Sequence, residues 1–338
     1  MEILISLLKV VVVLGVLLTA VAYIVLLERR LAAAIQNRIG PNRVGWQGLM
    51  QPLADVLKLV MKEDIVPREA NKFIHDLAPI ISISVALVTF AVIPFGDHIA
   101  IFGQDVRLQI SHVNIGVLYV LALTSLGVYG ITLSGWSSNN KYSLLGGLRS
   151  SAQMISYELS MGISIIGVVM IAQSLQLDKI VEAQAGWHWN IFLQPVGFIT
   201  FVVAAFAETN RLPFDLPEAE PELVGGYHTE YSGLKFGLFF LAEYANMVTA
   251  SAIITTLYLG GWQFPFLSAF GLGPMLTSIL HVLAFCCKVG ILIIFFIVIR
   301  WSTPRFRYDQ LMNLGWKVML PLSIANLLVT GLVILLFE

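Results

Sequence analysis

Eight apolar runs of about 20 residues, nearly free of charge, restrict this chain more than anything else in it. At about 1.5 Å of rise per residue, a run of that length crosses a hydrocarbon core of about 30 Å as an α-helix. The runs lie at about 3–27, 77–95, 114–134, 149–172, 191–207, 235–260, 274–299 and 316–337. Charged residues are 12% of the 338, against roughly 25% in soluble domains. The expected fold is all-α, one polytopic membrane domain over 1–338 with eight transmembrane helices. A net charge of −1 offers nothing to nucleic acid.

Lysine and arginine orient the bundle. Sixteen of the 20 fall in loops on one side, beginning with the eight from Arg29 to Lys72, and only Arg107 and Lys179 fall on the other. The positive-inside rule places the crowded side inside and both termini outside. Apolar sequence begins at Ile3 with no basic leader and no small-residue cleavage site, so the first span is expected to be retained. It ends at Glu28-Arg29-Arg30. Arg30 reads as a topology marker, whereas Glu28 works against a positive-inside anchor and requires a partner. Gly40-Pro41-Asn42 then marks a turn. From Trp46 to Val66 apolar residues recur at helical spacing opposite Gln47, Gln51, Asp55, Lys58 and Lys62, so this segment is expected to lie as an amphipathic helix in the interface plane. Asp55 and Lys58 have the spacing of an i,i+3 pair. On the other side, 96–113 alternates weakly and fits a small hairpin about Gly103-Gln104.

The most charged segment is the inner loop 208–234. It carries Glu208, Asp215, Glu218, Glu220, Glu222 and Glu230, with Glu243 just beyond, a third of the 21 acidic residues. Prolines at 213, 217 and 221 exclude one continuous helix. Asp215 followed by Glu218 has the spacing of an N-cap and capping box, which would put Glu218 and Glu222 on one face of a short helix. A solvated acidic loop is the bland alternative. Against it stand Pro213, Phe214, Leu216, Leu223, Val224, Tyr227 and Tyr231, too many large groups for a free segment. Carboxylates this crowded, with only Arg211 and Lys235 near in sequence, raise one another's proton affinity. The segment reads as a semi-buried proton-handling site.

Charges inside the spans need their own account. Glu158 in the fourth span and Glu243 in the sixth lie at similar depths, where a carboxylate costs roughly 3 kcal/mol on insertion scales. Both are expected to face the bundle interior. Lys288 in the seventh span reads either as the partner of a carboxylate or as a snorkelling cation beside Cys287. Ser156, Ser160 and Ser164 form a small-residue ridge for close helix packing. Cys286 and Cys287 are the only cysteines, and adjacent thiols supply neither a four-cysteine cluster nor a CxxC pair. Of six histidines only His281 lies within an apolar run. No redox centre or metal site is expected in the chain, which leaves binding, proton handling or transport. The basic, aromatic segment from Arg300 to Lys317 is suited to pair with the acidic loop or with a partner protein.

Five stretches carry a resemblance. They are Glu28 to Gly45, opening E-R-R and closing R-I-G-P-N-R-V-G; Gln153 to Glu158, Q-M-I-S-Y-E; Pro213 to Val224, P-F-D-L-P-E-A-E-P-E-L-V; Glu230 to Gly233, E-Y-S-G; and Pro304 to Leu311, P-R-F-R-Y-D-Q-L. With eight spans in order, the whole chain resembles the quinone-site membrane subunit of proton-pumping NADH:quinone oxidoreductase, respiratory complex I.

The resemblance implies a subunit in the bacterial inner membrane, its termini on the periplasmic side, at the heel of the membrane arm. There it meets peripheral iron–sulfur subunits, small membrane subunits and antiporter-like subunits. FMN and iron–sulfur clusters then belong to partner subunits, and a quinone, ubiquinone or menaquinone, is the substrate. It enters a chamber framed by the first and sixth spans and the amphipathic helix. The resemblance assigns Glu28, Arg29, Arg38, Asp55, Arg149, Arg211, Glu230, Arg300 and Arg307 to that chamber. It assigns Asp215, Glu218, Glu220 and Glu222 to an acidic patch, and Glu158, Glu208 and Glu243, with Tyr157, to a buried relay. Ferredoxin-driven quinone reductases and membrane-bound hydrogenases contain similar subunits, although the intact F-D-L-P-E-A-E stretch argues against a hydrogenase. Outside this group stand a self-sufficient proton-coupled transporter, which would show inverted repeats that are not evident here, and a purely structural anchor for the peripheral arm.

Overall fold

In a computed structural model, residues 2–101, 104–217, 220–265 and 273–337 are described. Seven of their helices are long and apolar enough to cross a membrane. They are α1 (Glu2–Ile35), α3 (Lys72–Thr89, prolonged by a 3-10 turn to Val92), α4 (Gly116–Ser137), α5 (Lys141–Ala172), α10 (Gly233–Tyr258), α11 (Pro274–Ser302) and the final run α12 (Tyr308–Asn313) with α13 (Leu320–Phe337), joined through a π-helical segment. The fifth apolar run is shorter. It is α8 (Pro195–Glu208), whose 14 residues rise only about 21 Å. Proline sets its start, and Asn210 (φ 50°) ends the helical path before Pro213. Two short helices, α6 (Leu177–Ala183) and α7 (Asn190–Leu193), precede α8.

Asparagines start two spans. Asn71 accepts from the Ile74 N–H ahead of α3, and Asn140 accepts from Tyr142 N–H ahead of α5. The serine ridge of α5 is buried and packs as its spacing predicts. Ser164 meets Thr200 of α8 at 2.6 Å, and Ser156 accepts from Trp316 Nε1 at 3.0 Å. At the inner end of α5, Gly146 lies against backbone. A Cβ there would stand 2.7 Å from both Gly226 Cα and Tyr227 N, so the acidic loop is seated directly on the fourth span.

The segment after α1 is less helical than its periodicity predicts. A single 3-10 turn, Trp46–Gly48, precedes α2 (Gln51–Met61), and the helix stops short of Val66. Its apolar residues Leu53, Val56, Leu57 and Val60 are all exposed, as a membrane-surface helix requires. The far-side hairpin is present: β1 (His98–Ile101) pairs antiparallel with β2 (Gln104–Arg107). It is the only sheet among the described residues.

Candidate functional site

The loop 208–234 turns inward. Phe214, Leu216, Leu223, Tyr227 and Tyr231 are all buried. Gln153 of α5 holds its first turn, donating through Nε2 to the carbonyls of Ala207 (2.8 Å) and Phe214 (2.9 Å). The Arg300–Lys317 segment then lies across it. Phe306 N–H donates to Pro213 O at 3.1 Å, and the Phe306 and Phe214 rings meet at 5.4 Å. Of its two proposed partners, the acidic loop is the one it pairs with inside this chain.

Asp215 is where that pairing is electrostatic. Its Oδ2 accepts from Arg305 Nη2 at 2.8 Å, while Oδ1 is buried without a hydrogen-bond partner. It does not cap a helix: the first helical turn described in the loop, α9 (Glu220–Leu223), begins five residues later, and a 3-10 turn, Gly226–His228, follows it. Glu218, the expected other half of the capping box, lies outside the described residues, as does the side chain of Glu220. Burial pushes the Asp215 carboxyl up to about 6, with Arg305 opposing it in part. We expect an infrared carboxyl C=O band that disappears with a midpoint near pH 6 and is missing in Asp215→Asn. A midpoint near the ordinary 3.8 would show that Arg305 outweighs burial.

Beneath the loop, four charges from four parts of the chain meet. Arg211, only 1% exposed, places Nη1 2.8 Å from Glu28 Oε2 and Nε 2.7 Å from Glu243 Oε1. The Nε contact lacks hydrogen-bond geometry, so charge rather than a directed bond joins it to Glu243. Arg300 Nη1 reaches the other Glu28 oxygen at 2.6 Å. Tyr244 donates its hydroxyl to Glu28 Oε2 at 2.8 Å and lays its ring 3.9 Å from the Arg211 guanidinium carbon. Burial disfavours the Arg211 cation, but Glu243, Tyr244 and Glu28 outweigh it and hold the group above its ordinary value. Two cations and two anions make the cluster neutral, which is how charges persist in a low dielectric. Glu28 thus finds the partner its position demanded, 183 residues along the chain.

The remaining acids are arranged differently. Glu208 and Glu243 line one cavity of about 40 Å³, with Asn246 and Thr124, large enough to admit water. Glu158 accepts from Ser125 of α4 and has no cation partner among the described residues. Glu222 pairs with Arg149 at 2.8 Å, and Arg149 also lies over Tyr308. Glu230 accepts from Asn140 at 2.6 Å. Asp55 is not paired with Lys58; it meets Arg29 at 2.6 Å. The Arg38 side chain bonds Gln36, and the exposed Arg307 meets Asp309, so among the described residues neither joins the buried cluster. Tyr157 is fully buried, but its hydroxyl donates to Leu311 O at 2.9 Å rather than to a carboxylate. Lys235 turns away from the acidic loop to Asp64 and Asp76. No group of three His, Cys, Asp or Glu side chains able to hold a metal occurs among the described residues.

Between α1 and α11 opens an apolar cavity of about 750 Å³. Residues of α1 (Val16, Ala20, Ile24, Leu27) form one wall and residues of α11 (Phe285, Cys286, Gly290, Ile294) the other, while Arg30 and Leu49 stand at one end. From α10, Val248 also lines it. The cavity reaches Leu27, next in sequence to Glu28. Its walls carry almost no polar atoms, which suits a long hydrocarbon chain rather than a sugar or an ion.

A family model described as NADH dehydrogenase matches residues 8–331. An NADH-quinone oxidoreductase H subunit of Cytophaga hutchinsonii is 52% identical over 310 residues, 92% of this chain and 91% of that one. Subunit 8 of the NADH-quinone oxidoreductase of Rhodothermus marinus is 53% identical, covering 95% of this chain and 94% of its own. An H subunit of the same enzyme from Geobacter sulfurreducens is likewise 53% identical, over 96% and 94%.

Proposed function

This chain belongs to the family of NADH-quinone oxidoreductase H subunits, membrane subunits of respiratory complex I, and on that premise we propose that it forms the quinone-access chamber and couples quinone reduction to proton translocation. The observation that carries the proposal is the apolar cavity ending one residue from a buried, charge-balanced cluster. A cavity of that size with apolar walls accepts an isoprenoid tail, and its charged end presents Arg30, with Glu28 and Arg29 beside it in sequence, to the approaching head group. Peripheral subunits bearing FMN and iron–sulfur clusters supply the electrons, and the acidic loop faces them. The chain lies in the bacterial inner membrane with its loop-rich, basic side inside.

The coupling is electrostatic. Quinone reduction changes the charge beside Asp215, Glu218, Glu220 and Glu222. Their coupled protonation alters the balance of the tetrad Glu28, Arg211, Glu243 and Arg300. Glu243 shares a cavity with Glu208, and the signal passes on through Glu158 toward the antiporter-like subunits. Moving one charge against 100 mV takes about 2.3 kcal/mol, the scale that a shift of one or two pH units at coupled sites supplies. Because Glu243 touches Arg211, its proton uptake requires that contact to loosen, whereas Glu158 carries no such tie. In Glu158→Gln we expect full assembly, unaltered NADH oxidation with a soluble acceptor, and reduced quinone-coupled proton pumping. Glu243→Gln is expected to reduce pumping as well, but it leaves one cation of the tetrad uncompensated, so its assembly is expected to fall below that of Glu158→Gln. Full pumping by both in sealed vesicles removes them from the relay.

A further inference from the structure

Lys288 is a charge that the relay does not use. It stands at the midpoint of the 29-residue α11, with about 20 Å of helix on either side. It neither pairs with a carboxylate among the described residues nor snorkels toward a membrane surface. Instead its ammonium donates to three backbone carbonyls, those of Leu259 (2.6 Å), Gly261 (3.0 Å) and Gln263 (2.6 Å), and lies 4.5 Å from the Trp189 ring. Those carbonyls belong to the turn that follows α10. Gly260 and Gly261 take positive φ there (72° and 52°), which curls the chain around the ammonium. Gln184 holds the same turn through Gly260 N–H (3.0 Å) and Thr256 O (3.0 Å).

A polar seam leads to this point. On α5, the helix of Glu158, Ser160 is buried without a partner and Ser164 bonds Thr200. On α10, the helix of Glu243, Thr249 is buried without a partner, and Tyr258 donates its hydroxyl to the Ser164 and Gly197 carbonyls at 3.3 and 3.2 Å. Buried hydroxyls thus recur along both acid-bearing helices, and the last of them on α10, Tyr258, is next in sequence to Leu259. A proton wire needs groups that both accept and donate. An ammonium has no lone pair, and the carbonyls around it already accept its hydrogens. The positive charge of the ammonium also repels hydronium and other cations.

We propose that Lys288 is the insulator of this subunit: it ends the polar seam and prevents protons held near Glu158 and Glu243 from leaking to the hairpin side of the membrane. The inference rests on the reading of those acids as proton sites. Its test is passive. The assembled complex carrying Lys288→Met is reconstituted in sealed proteoliposomes without NADH, potassium and valinomycin clamp the potential, and the decay of an imposed pH gradient is followed with an entrapped dye. We expect decay several-fold faster than with the unaltered complex, wild-type tightness in Lys288→Arg, and NADH oxidation preserved in both. Vesicles of Lys288→Met as tight as wild type overturn the insulator whatever Glu158→Gln does to pumping, so the two readings fail separately. If Lys288→Met does not assemble, Lys288→Gln keeps two N–H donors for the carbonyls without the charge. Leakiness in that variant supports the proposal. Tightness, or failure of that variant also to assemble, overturns it in favour of a purely structural ammonium.

Discussion

Arg211→Met is expected to strip the assembled complex of this subunit. Among the described residues Arg211 is the only group that touches both Glu28 and Glu243, and it is fully buried. Without it, two carboxylates face Arg300 alone, and one negative charge is left uncompensated away from water. Breaking a buried ion pair by removing one partner costs about 3–5 kcal/mol, a large part of the roughly 5–15 kcal/mol by which a domain is stable. Arg211→Lys is expected to fall between: an ammonium reaches one carboxylate, not two, and loses the planar stacking on Tyr244. The decisive variant is the double one. Arg211→Met with Glu243→Gln restores neutrality, so the two changes together are expected to harm assembly less than Arg211→Met alone, a strongly non-additive cycle. Native gels of membranes, stained for NADH oxidation, measure this directly. Wild-type abundance in Arg211→Met would show that the cluster adds nothing to the fold.

That cluster also marks the limit of what the chain discloses before its fold is known. Glu28 was legible as a carboxylate in need of a partner, because its local position is unfavourable. Which cation answers it was not, since Arg211 and Arg300 are brought to it by tertiary packing over 183 and 272 residues. Asp55 shows the opposite error. A local rule offered Lys58, but the sharp turn after α1 brings back Arg29, and a planar guanidinium at 2.6 Å takes the place of a flexible ammonium. Lys288 escaped both of the roles its sequence suggested because backbone carbonyls, its actual partners, carry no side-chain signature. Tyr244, which completes the Glu28 site, had one available signal, its place next to Glu243. The spans themselves were readable from hydropathy. Only the start of the fifth was not: the run read from 191 opens on the separate turn α7, and α8 begins at Pro195.

In the proposed reading the cavity takes the quinone tail and the cluster lies at its head-group end, and a steric variant separates the two. Gly290 lines the cavity from α11, and a Cβ built there meets nothing within 4 Å. The Cβ of a Gly290→Trp side chain therefore enters open space, and the indole beyond it is expected to take up cavity volume, while the ion cluster keeps its composition. Each methylene transferred from water into an apolar site gains about 0.8 kcal/mol. An indole that denies contact to only two methylenes of an isoprenoid tail forfeits about 1.6 kcal/mol, roughly a tenfold loss. We expect the KM for a long-tailed quinone to rise about tenfold or more, the KM for a tailless or short-chain quinone to change little, and NADH oxidation with a soluble acceptor to stay unaltered. If long and short quinones are affected alike, the tail does not run between α1 and α11, and the charged end of the cavity is reached by another route. If neither is affected, the cavity lies off the substrate's path altogether. Only a selective loss for the long tail joins this apolar volume to the charges at its end.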